Sequence, residues 1–282
     1  MDMDLTAYFA RVGYGGDTAP GLDALQELIT AHINAVPFEN LDPFTGVPVD
    51  DLTRDALTDK LVRRRRGGYC YEQNGLMGYV LTELGYRVRR LAGRVVWMRP
   101  SDAPTPAMSH TVLAVTFPGC AGPYLVDVGF GGQTPTSPLR LLTGGEQETT
   151  HEPYRLEDRG DGMLLQAKVR DEWQSLYVFT TQTRPQIDLV VGSWWVSTHP
   201  SSHFVTDLMV ARVSEDARMN LAGRNLVIHR AGRSEKTVLN SAAEVADALG
   251  ELFGINLADF DRAALQARIE TLPVGQPGTD SG

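Results

Sequence analysis

The hydrophobic period of this chain changes from helical to two at Gly85, and that change restricts it to folds that join a helical segment to an antiparallel sheet. Before Gly85 the apolar residues recur at helical spacing. Leu22, Leu25, Ile29, Ile33 and Val36 share one face of a helix that Pro37 ends, and a second helix is expected from Asp55 to Arg65 with Leu57, Leu61 and Val62 inward. Pro37–Leu41 reads as the loop between them. After Gly85 the period is two. Tyr86–Trp97, His110–Phe117 and Tyr124–Val128 are rich in β-branched and aromatic residues, and turns such as Pro100–Pro106 and Pro118–Pro123 separate them. Met163–Arg170 and Gln174–Phe179 read as a hairpin, so this middle third is expected to be an antiparallel sheet or barrel.

The remainder is mixed. Thr181–Ser202 reads as a connection containing Trp194-Trp195, followed by expected strands at Phe204–Val213, Asn225–Arg230 and Lys236–Leu239. Ser241–Glu244 has the form of a capping box ahead of Val245, Leu249 and Leu252, and a last helix is expected from about Leu257 to Glu270. The expected organisation is therefore a helical unit over 1–85, a β unit with its connection over 86–202, an α/β unit over 203–272 and a disordered tail over 273–282.

The chemistry concentrates on Arg66-Gly67-Gly68-Tyr69-Cys70-Tyr71-Glu72-Gln73-Asn74. Met77, Val80, Leu81 and Leu84 follow at i, i+3, i+4, i+7 spacing, so Cys70 is expected to open a helix. A thiol there sits near the positive end of the helix dipole and unpaired N–H groups, which favour thiolate. The glycines allow a tight backbone path and leave space above the sulfur. Taken alone, Cys70 is either a nucleophile or a small buried hydrophobe. The basic run Arg63–Arg66 reads as a solvated helix end, with Arg66, next to the glycines, as the exception.

Charge narrows the partners. With 26 basic and 35 acidic residues the net charge is −9, which argues against a nucleic-acid surface and for small-molecule partners. No apolar run approaches the roughly 18 residues of a membrane span, and the acidic start Met1–Asp4 does not resemble a signal peptide. Two cysteines, Cys70 and Cys120, are too few for a disulfide framework, and a reducing cytoplasm is the expected compartment.

Of six histidines, His110 lies at the start of a strand behind a polar, small-residue approach. Asp127 lies within the apolar strand Tyr124–Val128, where a buried carboxylate needs a partner, and an imidazole on a neighbouring strand supplies one. Cys70, His110 and Asp127 then have the logic of a triad in which the base accepts the thiol proton and the carboxylate orients the base. His199 and His203 flank Pro200 with no acid to complete a metal site, so no metal is expected. His32 and His151 carry no signal; His229, on a strand, is equally a structural or a ligand-lining residue.

These stretches, with Pro37-Phe38-Glu39-Asn40-Leu41, Ser109-His110 and Asp127-Val128-Gly129-Phe130-Gly131, resemble the arylamine N-acetyltransferases in order and spacing over nearly the whole chain. The resemblance implies an α+β fold: a helical first domain, a central antiparallel β-barrel and a C-terminal α/β lid around a cysteine-protease-like catalytic core. It implies acetyl-CoA as donor, aromatic amines or hydrazines as acceptors, Cys70 as the acylated nucleophile, His110 as base and Asp127 as its orienter. It also implies that Arg66 and Glu39 form a pair bracing the cysteine loop. Trp97, Ser109, Gly129, Phe130, Gly131 and His229 are then candidates to line the donor, and Phe38, Phe130 and Phe204 to line the acceptor. Each of the aromatic candidates is also readable as ordinary core. A cysteine peptidase or transglutaminase-like enzyme with the same triad is the alternative. A papain-like peptidase would instead be expected to carry a secretion signal, several disulfides and Asn as third member.

Overall fold

The computed structural model describes residues 4–100, 102–230 and 232–273; the tail expected over 273–282 lies, beyond Pro273, outside them. The first part is helical: α1 (Leu5–Val12), α2 (Leu22–Ala35), the two-residue strand β1 (Phe38–Glu39), α3 (Leu41–Phe44) and α4 (Arg54–Leu57) lead to α5 (Cys70–Glu83). The helix expected over Asp55–Arg65 is present in two forms. Thr53 caps α4 by accepting from the Ala56 N–H, but Thr58–Arg63 then widen into a π-helical turn, with Lys60 buried. Such widened turns are frequent at functional sites.

The central sheet contains β2 (Arg87–Val95), β3 (His110–Thr116), β4 (Tyr124–Val126), β5 (Leu139–Arg140), β6 (Tyr154–Asp158), β7 (Met163–Val169) and β8 (Glu172–Phe179). Its order is β5-β4-β3-β2-β8-β7-β6, antiparallel throughout and nearly closed into a barrel. Alternation along β3 explains how both of its faces are buried. Val112 and Ala114 join Leu91, Leu125, Leu165 and Phe179 inside the barrel, while Leu113 and Val115 pack with Leu76, Met77, Val80 and Leu81 of α5. This contact fixes the helix that begins at Cys70 against the strand that begins at His110.

Beyond the barrel come α6 (Gln186–Thr198), α7 (His203–Thr206), β9 (Met209–Val213), β10 (Ala217–Ala222), β11 (Asn225–Arg230), β12 (Arg233–Val238), α8 (Ala242–Glu251) and α9 (Arg262–Glu270). The second sheet has the order β1-β9-β10-β11-β12, so Phe38 and Glu39 pair with Ala211 and Val210 and tie the N-terminal part to the C-terminal sheet.

Several expectations need correction: Pro37–Leu41, read as a loop, holds β1 and the start of α3, and β4 ends at Val126, so Asp127 follows the strand expected over Tyr124–Val128. The segment read as a connection holds α6, whose β-branched residues obscure the helical spacing of buried Leu189, Ser193 and Val196. The strand expected from Phe204 begins only at Met209, because the Ser202 hydroxyl accepts from the Phe204 N–H and turns the chain into α7. The last helix starts at Arg262, where the Asp261 carboxylate accepts from two backbone N–H groups. Among the described residues no helix is long and apolar enough to cross a membrane.

Candidate active site

Cys70 is the first residue of α5 and only 3% exposed, with Sγ 3.6 Å from the Ser109 carbonyl. The glycines around it serve close packing. A Cβ on Gly67 would lie 2.2 Å from the Pro37 oxygen, and one on Gly68 would lie 2.7 Å from Glu72 Oε2. A Cβ on Gly129 would lie 2.7 Å from Cys70 Cα, so only glycine lets the chain leaving β4 press against the start of α5. Glu72 Oε2 accepts from the Tyr69 N–H at 3.1 Å, closing the helix N-terminus.

Opposite the thiol, the start of β3 presents His110 and the end of β4 presents Asp127, each 2% exposed. His110 Nε2 lies 2.8 Å from Asp127 Oδ2, which leaves Nδ1 as the ring nitrogen for the sulfur. Burial alone would disfavour an imidazolium here, but the Asp127 carboxylate and then Cys70 outweigh it and lift His110 to about 10. Burial likewise opposes the Asp127 charge. His110, together with hydrogen bonds from Asn74 and the Gly129 N–H, still holds the carboxyl below its usual range. Phe130 meets the His110 ring edge-on at 5.3 Å, and Tyr177 lies at 4.7 Å.

Beneath the cysteine loop, Arg66 Nη2 lies 2.7 Å from Glu39 Oε1 and 2.9 Å from Asp42 Oδ1, and its guanidinium covers the Phe260 ring at 4.3 Å. Lys60 Nζ bridges Asp42 and Glu72. Arg63, Arg64 and Arg65 are exposed, so Arg66 alone of the basic run points inward.

These elements fit a sulfur nucleophile with a buried base. The N-acetyltransferase family model matches residues 21–262. The arylamine N-acetyltransferase of Mycobacterium tuberculosis is 66% identical over 282 residues, covering 100% of both chains. The chain belongs to the arylamine N-acetyltransferase family. The arylamine N-acetyltransferase of Mycolicibacterium smegmatis is 60% identical over 95% of this chain and 98% of its own. The structure of Mycobacterium marinum arylamine N-acetyltransferase in complex with CoA superposes with a TM-score of 0.94 at 69% identity, covering 95% of this chain and 99% of that one.

Around Cys70, His110 and Asp127 of this arylamine N-acetyltransferase family member the lining candidates fall into two groups. Phe38 and Phe204 meet at 6.1 Å, Phe38 packs under Gly131, and Phe130, Gly129 and Ser109 touch the triad residues. Trp97 packs at the edge of the barrel core, and His229 lies on β11 with Nδ1 2.8 Å from the Ser234 hydroxyl. No hydrogen bond or ring contact among the described residues joins either one to the triad.

Several supporting residues escaped the sequence reading. Asn74 Nδ2 donates to Asp127 Oδ1 at 2.9 Å and to the Thr111 carbonyl at 2.8 Å, while Asn74 Oδ1 accepts from the Val128 N–H at 2.9 Å. Its place four residues after Cys70, on the same helix face, was the available signal. His32 is fully buried between the Tyr8 hydroxyl at 2.9 Å and Gln73 Oε1 at 2.7 Å. The Gln73 amide nitrogen donates to the Pro37 and Gly68 carbonyls, steadying both sides of the cysteine loop.

Proposed function

We propose that the protein moves an acetyl group from acetyl-CoA to the nitrogen of an aromatic amine or hydrazine in two half-reactions, with Cys70 carrying the group between them. The observation that carries this reading is the placement of His110, bonded through Nε2 to Asp127 with its other nitrogen left for the thiol. In the first half-reaction the Cys70 sulfur attacks the thioester carbonyl. The carbon–sulfur bond to coenzyme A breaks, and the departing thiolate takes the proton held by His110. One thioester replaces another, so the step is nearly isoenergetic. The Cys70 backbone N–H, at the start of α5, is the donor available to the tetrahedral oxyanion.

In the second half-reaction the acceptor nitrogen attacks the acyl-enzyme, His110 takes its proton, and Cys70 leaves as thiolate. Phe38, Phe130 and Phe204 give an aryl ring flat apolar partners and keep water from the thioester. The bound CoA in the Mycobacterium marinum relative supports the donor, and that protein's name supports the acceptor class. Both cysteines are free, so the Cys70 sulfur is available to take the acetyl group.

The test is the amount of coenzyme A released when enzyme and acetyl-CoA are mixed without amine and separated chromatographically. A rapid burst of one equivalent per enzyme, followed by a slow phase, is expected. Release only after an amine is added would contradict a covalent first half-reaction.

A further inference from the structure

The loop that follows Asp127 is held from outside, by the C-terminal sheet. Arg218 of β10, 4% exposed, donates from Nη1 to the Gly132 carbonyl at 3.4 Å and from Nη2 to the Thr134 carbonyl at 3.0 Å. The carbonyl between them, that of Gln133, lies 3.0 Å from the Tyr154 hydroxyl. Glu152 fixes both holders: its carboxylate accepts from Arg218 Nε at 3.0 Å and Nη2 at 2.6 Å, and its Oε1 also meets the Tyr154 hydroxyl. The Thr134 N–H closes the turn onto the Gly131 carbonyl at 3.1 Å, and a Cβ on Gly132 would lie 2.8 Å from Oδ1 of Asn220, also on β10. A forked guanidinium reaches a carboxylate and two carbonyls at once, which the single point of an ammonium does not.

The other end of this loop touches the triad. The Gly129 N–H donates to Asp127 Oδ1 at 3.0 Å, Gly129 presses on Cys70 Cα, and the Phe130 ring meets His110 edge-on at 5.3 Å. Only Gly131 separates Phe130 from the anchored Gly132. We propose that Arg218 is a positioning residue for acyl transfer: by anchoring Gly132 and Thr134 it holds Gly129 and Phe130 against Asp127 and His110, so the C-terminal sheet sets the geometry of the triad. The inference rests on Cys70 accepting the acetyl group. Arg224, which follows β10, gives the contrast. It is 2% exposed, pairs with Glu270 at 2.7 Å and donates to the Asn240 and Ile269 carbonyls, so it ties the same sheet to α9 instead of to the loop.

The test measures by quenched flow and intact mass how fast acetyl-CoA acetylates Cys70, together with the half-saturating donor concentration and the melting temperature. Arg218→Lys keeps a cation for Glu152 and gives up the fork. At saturating donor it should acylate roughly 10- to 100-fold more slowly, the effect of a small misplacement of reacting groups, with the half-saturating concentration little changed. Arg224→Lys should also melt earlier but acylate at the wild-type rate. Tyr154→Phe, which gives up the contact with the Gln133 carbonyl, should slow acylation by a smaller factor, and it decides the question if Arg218→Lys does not fold. An unchanged rate at saturation in the deciding variant would overturn the proposal, as would equal slowing in Arg224→Lys, which would mark a general loss of stability. A change confined to the half-saturating concentration would also overturn it, because Arg218 would then act by binding the donor. Wild-type protein that takes no acetyl group on Cys70 would instead remove the nucleophile on which the inference rests.

Discussion

Asn74 holds Asp127 from the side that His110 does not use: its amide nitrogen donates to Oδ1 at 2.9 Å while His110 meets Oδ2 at 2.8 Å. The helix that opens at Cys70 thereby also fixes the carboxylate to which His110 is bonded. Asn74→Ala removes three hydrogen bonds and leaves buried groups unpaired, each costing about 1–3 kcal/mol. A fall in kcat/KM of roughly 10- to 100-fold is expected, with a lower melting temperature. Asn74→Asp should do worse, since a second carboxylate beside Asp127 pushes one of the two towards the neutral acid. Steady-state assays of both variants with an aromatic amine check this order.

Asp127→Asn should slow acylation of Cys70 by roughly two to four orders of magnitude, because an amide no longer selects the imidazole tautomer or steadies its charge. It should also change stability with pH. His110 is raised to about 10 in the fold, so its ion pair contributes fully below the ordinary histidine range and the contribution fades as pH rises through about 10. Denaturant titrations at several pH values should show that loss in wild type and little of it in the variant.

Arg66→Ala leaves Glu39 buried without its cation and takes the guanidinium from the face of Phe260. Breaking a buried pair costs about 3–5 kcal/mol, so melting temperature and activity should fall together. Cys120 lies in the turn after β3, where its sulfur accepts from the Phe117 N–H at 3.3 Å. Cys120→Ala should change stability by less than about 0.5 kcal/mol and leave turnover intact. Thermal melts of the two variants separate a structural arginine from a dispensable thiol.

The Gln73 amide nitrogen is committed to backbone carbonyls, so its oxygen must accept from His32 Nε2–H, and His32 Nδ1 must accept from the Tyr8 hydroxyl. His32 is thus buried neutral, and burial lowers it to about 4. A depressed histidine contributes stability that is complete above its ordinary pKa of about 6.5 and is lost as pH falls towards 4. His32→Gln should be less stable at neutral pH and lose less on acidification; equal acid sensitivity would count against this role.

Local chemistry made part of the site legible. Cys70 opens a helix because apolar residues follow at helical spacing, and Asp127, expected inside an apolar strand and found one residue beyond β4, announced a need for a partner. Lys60, Asp42 and Glu72 were not legible, because their proximity depends on a π-helical turn, a four-residue helix and the helix N-terminus meeting in space. Gly67 and Gly68 were expected to leave space above the sulfur and Gly129 to line the donor, whereas all three are places where the chain's own atoms, from Pro37, Glu72 and Cys70, press close. α6 was missed because its β-branched residues obscure the spacing and its inward positions include Ser193 and Ser197, which bond Val49, a partner distant in sequence. β10 was missed because Ala217–Ala222 lacks β-branched residues and owes its strand form to pairing on both edges.

The central claim is that Cys70 itself carries the acetyl group. Wild-type protein incubated with acetyl-CoA and no amine, then examined by intact-mass and peptide-mass measurement, should hold one acetyl group, on Cys70. An aromatic amine should remove it far faster than water does, and His110→Ala, lacking the proton acceptor, should remain unlabelled. A wild-type protein that stays unmodified, or that carries the acetyl group on Cys120 or a lysine, would contradict the account.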